Sequence, residues 1–150
     1  AFGGVYVSGT TNKPGWTRGG IDTTFNGETD AFLIKLSCIG EHLWSTYLGG
    51  NGWDRGMGLA VTPSGRVYVT GVNGSEQWRG YRSYDTTFNG GADVFVTEFN
   101  SHGECLWRVY LGGRSSDQSS GIAVDDADHV YVTGMTMSSG WIAGGYCTTL

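Results

Sequence analysis

Asp22-Thr-Thr-Phe-Asn-Gly27 recurs letter for letter as Asp85-Thr-Thr-Phe-Asn-Gly90, 63 residues further along the chain (85 − 22 = 63). A second motif, Tyr47-Leu-Gly-Gly50, recurs at the same spacing as Tyr110-Leu-Gly-Gly113. Self-similarity at one fixed period is the signature of a repeat architecture, in which each copy forms one supersecondary unit. The sequence is therefore organised as copies of a unit of about 63 residues.

Each period contains four short runs that are rich in Val, Tyr, Phe and Trp and are separated by Gly, Asn, Asp and Ser. In the second copy these runs are Gly58 to Thr62, Val67 to Gly71, Asp93 to Phe99 and Leu106 to Leu111. Such runs are typical of antiparallel strands joined by tight turns. Pro63-Ser64-Gly65 lies between the first two runs and predicts a hairpin turn.

Both faces of the third run of the first copy carry apolar groups, because Phe32, Ile34 and Leu36 alternate with Ala31, Leu33 and Lys35. A strand that is apolar on both sides must be covered on both sides. Four-stranded blades packed radially in a β-propeller provide that cover. We therefore expect an all-β propeller segment of about two and a third repeats, divided into residues 1–57, 58–120 and 121–150. A β-solenoid is the alternative, in which strands pair between successive coils.

The motifs VYVTG, DTTFNGG, LWxxYLGG and GIAV resemble the seven-bladed β-propeller (SBBP) repeat family. That resemblance extends over essentially the whole chain and implies a part of a large secreted or cell-surface protein, with no shared catalytic residue. Two departures stand out: Cys147 replaces the Asp that opens DTTF, and the sequence stops at Leu150 before the third and fourth strands of that copy.

Composition excludes several functional classes. Charged residues make up only 15% of the chain and the net charge is −5, which argues against nucleic acid and against an anionic membrane surface. Cys38, Cys105 and Cys147 are odd in number and not equivalent between copies, which predicts unpaired thiols without a metal or other cofactor. No catalytic motif is recognisable, so we expect a protein that is not an enzyme.

A tryptophan recurs in the long loop after each VYV strand, and in two copies it is accompanied by arginine or tyrosine. An aromatic face beside polar donors suits a sugar ring. The candidate ligand residues are Trp16, Arg18, Trp78, Arg79, Tyr81 and Trp141. The alternative, which we favour, is that these indoles wedge between blades and order the loop. Trp44 and Trp107 lie inside strands, so we expect them to be buried and the loop set to be more accessible.

Aspartates recur in pairs, and a repeated Asp at a turn normally accepts backbone N–H groups rather than binding a metal. The pairs are Asp22 and Asp85, Asp30 and Asp93, and Asp54 and Asp117. A denser acidic group, Asp125, Asp126 and Asp128, has no counterpart in the preceding copy and predicts a solvated hairpin turn rather than a calcium site.

These observations favour a non-enzymatic interaction or structural module, with a carbohydrate-binding propeller as the rival. About two and a third blades cannot close a ring and would expose two blade faces. The expected partners are other copies of the chain or the remaining blades of a larger propeller, with a glycan as a further possibility.

Overall fold

The computed structural model describes residues 4–82 and 85–141; Cys147 and the predicted end of the third copy lie outside them. Within these ranges the chain forms nine β-strands. They are β1 (Gly4–Thr11), β2 (Asp30–Ser37), β3 (His42–Leu48), β4 (Asp54–Val61), β5 (Val67–Asn73), β6 (Asp93–Phe99), β7 (Cys105–Leu111), β8 (Asp117–Val124) and β9 (Val130–Thr136).

The strands form three antiparallel sheets in the orders β1-β2-β3, β4-β5-β6-β7 and β8-β9. Each sheet is a meander of sequence neighbours, so strand ladders form within one copy of the repeat. The prediction that a complete repeat folds into one four-stranded antiparallel sheet is therefore confirmed by the middle sheet. A solenoid would instead have paired its strands between coils.

The first strand of each copy is longer than the sequence pattern indicated. β4 begins at Asp54 and β8 at Asp117, in both cases four residues before the expected start at Gly58 or Gly121. A register shift between Gly56 and Gly58 marks a bulge in β4, and β8 carries its own shift at the equivalent place. The extra bulge residue breaks the alternation that a regular strand shows, which hid the start of the strand from pattern analysis.

The three sheets lie side by side, with β4 next to both β1 and β8. Glycines allow this close approach. A Cβ placed on Gly56 would lie 2.6 Å from the carbonyl oxygen of Gly9 in the first sheet, and one on Gly58 would lie 3.1 Å from the Ile122 side chain in the third. β4, the first strand of the middle sheet, therefore packs against β1 of the first sheet and β8 of the third, as neighbouring blades of a propeller do.

The core lies between the first two sheets. Its buried members are Ala31, Leu33, Trp44, Leu48, Val67, Val69, Trp78, Phe95, Phe99 and Tyr110. Trp44 reaches from the first sheet to the turn between β6 and β7, where its indole nitrogen donates to the Ser101 carbonyl at 3.4 Å. Its ring covers Gly103, where a Cβ would lie 2.9 Å from the indole. Burial of Trp44 is confirmed.

Trp107 was expected to be buried like Trp44, but it is only half-buried. Its ring packs on Tyr68 of its own sheet, with the centroids 6.1 Å apart. Trp44 is covered by the β6–β7 turn of the following copy. In the described residues β9 is the last strand, so no equivalent turn covers Trp107 there.

The described residues contain no helix, and consequently no helix that is long and apolar enough to cross a membrane. Cys38 is exposed and Cys105 is half-buried, and both are free thiols. Burial raises the pKa of the Cys105 thiol, which keeps it in its unreactive protonated form.

Candidate functional site

The loop tryptophans of the first two copies occupy equivalent positions against their own sheets. Trp16 meets Phe32 edge-on with centroids 5.1 Å apart, and Trp78 meets Phe95 in the same way at 5.0 Å. Tyr47 and Tyr110 complete the two aromatic clusters. Each indole therefore ties the long loop down onto its blade, as the loop-ordering interpretation predicted, although these ring contacts are with the indole's own sheet and not between blades.

Trp78 corrects the expectation that the loop tryptophans are more accessible than those in strands. It is only 8% exposed, against 6% for Trp44, because Phe95, Tyr110 and the Arg108 guanidinium enclose it. Trp16 and Trp141 are half-buried, and their indole nitrogens donate to the Lys13 carbonyl and the Thr136 hydroxyl, both at 3.0 Å.

The loop of the second copy joins the outer edge of its blade by pairing Tyr81 with Arg108 of β7. Tyr81 donates its N–H to the Arg108 carbonyl at 3.0 Å, and Arg108 donates its own to the Tyr81 carbonyl at 2.8 Å. The Arg108 guanidinium stacks over the Trp78 ring at 3.7 Å and also donates to the Arg79 carbonyl at 3.1 Å. The sheet edge and the tryptophan together fix the loop.

This arrangement surrounds an open cavity of about 600 Å³. Its principal side chains are Ile21, Arg79, Tyr81, Arg82, Glu104 and Arg108. The structure thus brings Arg79 and Tyr81 together, as the sequence analysis had grouped them, with Trp78 beneath. Burial lowers the pKa of Arg108, because the charged guanidinium loses hydration there.

The first copy has no matching cluster of cations. Ser45 takes the place of Arg108 in the repeat, and its hydroxyl accepts the Arg18 backbone N–H at 3.0 Å. The Arg18 side chain turns away to donate to the His42 carbonyl at 2.6 Å. The residues predicted in the first copy therefore do not assemble a cation cluster like that of the second.

Sequence reasoning missed Arg82 and Arg108. Arg82 follows Tyr81 closely and stacks over its ring at 5.1 Å, so its spacing from Arg79 was a usable signal. Arg108 offered none, because it lies within a strand and its repeat counterpart is a serine.

Residues 106–140, from β7 to the loop after β9, match the family model described as SBBP, beta-propeller repeat. This segment is therefore similar to an SBBP beta-propeller repeat. No curated protein matches the chain. The match agrees with the antiparallel sheets described above and with the resemblance carried by the sequence motifs.

The chain also buries two pairs of aspartates between neighbouring sheets, Asp30 with Asp54 and Asp93 with Asp117. Asp54 accepts N–H groups from Gly50 at 2.9 Å and Gly74 at 3.1 Å, and the Ser75 hydroxyl at 2.6 Å. The prediction that these aspartates accept backbone N–H groups is confirmed. They lie in strand ends without solvent exposure, however, and not in exposed turns.

A glycine separates the two carboxylates of each pair. A Cβ on Gly49 would lie 2.6 Å from both Asp30 Oδ1 and Asp54 Oδ2, and one on Gly112 would meet Asp93 Oδ1 and Asp117 Oδ2 at 2.5 and 2.6 Å. Burial, reinforced by the neighbouring carboxylate, raises the pKa of Asp30 and of Asp93 to about 6. The first Gly of each LGG motif is therefore required by close packing.

The carboxylate oxygens of these pairs are better suited to holding a proton than to binding a metal ion. Asp30 Oδ1 and Asp93 Oδ1 are buried without a hydrogen-bond partner, whereas both oxygens of Asp54 are occupied by N–H and O–H donors. A hard cation takes six or more oxygen ligands, which each pair does not supply. Protonated at Oδ1, Asp30 becomes a donor beside Asp54 Oδ2. In the described ranges, no group of three or more His, Cys, Asp or Glu side chains could hold a metal ion.

Replacement of Gly49 with alanine tests this packing. The added methyl group would meet two carboxylate oxygens, so we expect the free energy of unfolding to fall by about 1–3 kcal/mol. The matched control is Gly121→Ala, because a Cβ at Gly121 meets only the Thr133 hydroxyl at 3.5 Å. Urea unfolding measures both, and equal losses in the two variants would contradict the role given to Gly49.

The acidic group at the β8–β9 turn forms a hairpin that is closed by Asp125. Its carboxylate accepts the Ala127 and His129 N–H groups, both at 2.9 Å, and contacts the His129 ring at 2.9 Å. These hydrogen bonds lower the pKa of Asp125 to about 2. Asp128 takes a positive φ of 63°, the conformation that Gly65 adopts at the same place in the preceding copy. The prediction of a hairpin turn is confirmed.

Proposed function

We propose that this chain is a non-enzymatic interaction or structural module of a secreted or cell-surface protein. Its two outer blade faces dock onto further blades of the same repeat type, supplied by another copy or by a longer propeller. Support comes from positions that are equivalent in the repeat but differ in burial between the middle blade and the outer ones.

The front face is the side of the first sheet that points away from the middle blade. Val67 and Val69 of the middle blade are fully buried against the first sheet. Their counterparts Val5 and Val7 are 52% and 38% exposed. The same motif is therefore buried where a preceding blade exists and exposed where the described residues contain none.

The rear face is the side of the β8–β9 sheet that points away from the middle blade. Tyr68 and Val72 of the middle blade are 2% and 4% exposed, whereas their counterparts Tyr131 and Met135 are 56% and 52% exposed. Exposed apolar side chains grouped on one face indicate an interaction surface. The rear face matches the side of a blade that receives the next one.

Because the front and rear faces are different surfaces, docking between copies would be head-to-tail. A head-to-tail contact leaves one free face at each end of any open assembly. That property gives a decisive experiment, since either face can be blocked separately.

We expect the 150-residue chain to associate reversibly at micromolar concentration in light scattering. Val5→Asp should block the front face and Met135→Asp the rear face, so that each variant alone is a monomer. A mixture of the two should form a one-to-one dimer, because each variant keeps the face that the other lacks. Ile39→Asp, in the exposed β2–β3 turn, is the control and should associate like the parent chain.

A stable, monodisperse monomer of the unmodified chain would refute association between copies and would leave the blades of a longer chain as the partner. Two monomeric variants that do not combine when mixed would refute the head-to-tail arrangement.

Carbohydrate binding is the second candidate function. The observation that favours it is the cavity of the second copy, where Arg79 and Tyr81 of the predicted ligand group lie together. Cavities of a few hundred cubic ångströms with aromatic walls and a few polar donors are typical of small-ligand sites. A glycan array probed with the purified chain tests this function, and an array without a reproducible hit would contradict it.

A further inference from the structure

Four asparagines of the chain are each followed by glycine, and such pairs are prone to deamidation. They are Asn26-Gly27, Asn51-Gly52, Asn73-Gly74 and Asn89-Gly90. In deamidation the glycine backbone nitrogen attacks the side-chain amide carbon of the asparagine, and glycine has no side chain to obstruct that approach. A hydrogen bond that holds either group restricts the approach, so the fold decides which pair can react.

In three of the four pairs the asparagine side chain is held by a hydrogen bond from its amide nitrogen to a backbone carbonyl. The acceptors are the carbonyls of Thr24 at 2.9 Å for Asn26, Ser75 at 2.8 Å for Asn73 and Thr87 at 3.2 Å for Asn89. Asn51 is the exception, because its side chain is exposed and no hydrogen bond within the described ranges holds it. The Asn51 side chain is therefore free to meet the attacking nitrogen.

At Asn51 the fold restrains the attacking nitrogen instead. Gly52 donates its N–H to the Ser75 hydroxyl oxygen at 2.9 Å. Ser75 is only 1% exposed, and its own hydroxyl donates to Asp54 Oδ2 at 2.6 Å, so the acceptor is fixed in place. The Gly52 nitrogen can attack the Asn51 side chain only after this hydrogen bond has broken.

The second blade junction repeats the serine contact without the asparagine. Ser115 donates its N–H to the Ser138 hydroxyl oxygen at 2.9 Å, and the Ser138 hydroxyl donates to Asp117 Oδ2 at 2.8 Å. The residue before Ser115 is Arg114, the repeat counterpart of Asn51. The serine hydrogen bonds are therefore common to both junctions, whereas the reactive pair belongs to the first junction alone.

We propose that Asn51 is a deamidation site that the Ser75 hydroxyl keeps from reacting. Once the hydrogen bond breaks, the Gly52 nitrogen loses its proton to solvent and forms a bond to the Asn51 side-chain carbon, and the side-chain nitrogen leaves as ammonia. Water then opens the succinimide ring to give aspartate or isoaspartate, with no oxidant or reductant involved. This reaction is independent of blade docking.

Deamidation would change the junction between the first two sheets. It would add a carboxylate to the loop that leads to the buried Asp54. Isoaspartate would also lengthen the backbone between Gly50 and Gly52, where the chain is held on both sides. Gly50 donates its N–H to Asp54 at 2.9 Å, and the Gly52 carbonyl accepts the Glu28 N–H at 2.8 Å. The modification therefore loosens the first junction and spares the second.

Peptide mass spectrometry of the folded chain, after incubation in mildly alkaline buffer, tests the proposal. Trypsin places each Asn-Gly pair in a separate peptide, namely residues 19–35, 36–55, 67–79 and 83–108. Ser75→Ala should raise the deamidation rate of Asn51 about fivefold or more, because it removes the hydrogen bond that restrains the Gly52 nitrogen. The other three asparagines should keep their parent rates.

Ser138→Ala is the matched control, because it deletes the same hydroxyl group at the second junction. It should leave Asn51 at its parent rate, which separates loss of the restraint from a general loosening of the fold. In urea the hydrogen bond is absent, so the parent chain and Ser75→Ala should deamidate at Asn51 equally fast, and faster than the folded parent.

Three results would each overturn the proposal. The first is an equal Asn51 rate in the folded parent chain and in Ser75→Ala, and the second is an equal rise in Ser138→Ala. The third is an Asn51 rate in the folded parent chain as high as that in urea. This last comparison needs only the parent chain, so it decides the matter even where Ser75→Ala does not fold.

Discussion

Replacing Trp44 with alanine is expected to lower the free energy of unfolding by about 3–5 kcal/mol. The indole is buried between the first two sheets, where it contacts Tyr6 and Phe99 with centroids 6.1 and 6.5 Å apart. The truncation removes these contacts and leaves a cavity at a junction between two blades. Urea or thermal unfolding of the purified variant measures the loss.

Trp107→Ala is the matched control, because it deletes the same side chain at the same position of the next repeat. Trp107 is half-buried and packs on Tyr68, so its loss should cost only about 1–2 kcal/mol. Equal effects in the two variants would mean that the neighbouring blade does not stabilise Trp44.

The second large effect concerns pH. We expect the Asp30 and Asp93 carboxyl groups to make the protein more stable in mild acid than at neutral pH, by on the order of 3 kcal/mol for each group. Burial and a neighbouring carboxylate raise both pKa values from 3.8 to about 6. The protonated form is the one that suits the folded state, since it turns the unpartnered Oδ1 into a hydrogen-bond donor.

The sign follows from proton binding. Below pH 3.8 both the folded and the unfolded state hold the proton, and the stabilisation is fully present. Between pH 3.8 and about 6 the unfolded chain has released its proton while the folded chain retains it, so stability falls as pH rises. Above about pH 6 both states are ionised and these two groups contribute no further change.

The variants Asp30→Asn and Asp93→Asn separate this effect from all other titrations. An amide keeps the acceptor for the Asn26 or Asn89 N–H and supplies a permanent donor in place of the acidic proton. Each variant should therefore be more stable than the parent at pH 7 by about 2–3 kcal/mol and equal to it near pH 4. The matched control is Asp126→Asn, which removes the same charge from an exposed turn and should be as stable as the parent at pH 7. A loss of stability at pH 7 in Asp30→Asn would contradict this explanation.

Much of the fold could be read from the sequence because its determinants are local and repeated. Alternating apolar residues mark β2, the TPSG turn adopts its hairpin with Gly65 at positive φ, and Asp22 accepts the Thr24 N–H as a repeated turn aspartate should. The recurrence of these features at one spacing ruled out chance similarity.

The candidate site was only partly predictable. Arg79 and Tyr81 could be grouped because they are close in sequence within one loop. Arg108 is distant in sequence and contacts that loop from strand β7. Trp78 resembled a loop residue in a polar stretch, and only the fold shows that Phe95, Tyr110 and Arg108 enclose it.

The sequence by itself determined the antiparallel blade, its period and its turns, since these depend on residues that are neighbours along the chain. The tertiary structure alone decided which copies of a repeated residue are buried. Val67 and Val5 share one motif, as do Trp44 and Trp107, yet their burial differs because burial depends on the adjacent blade. The repeated sequence determines which apolar side chains each blade presents on its two faces. The packing of the blades determines which of those faces are buried.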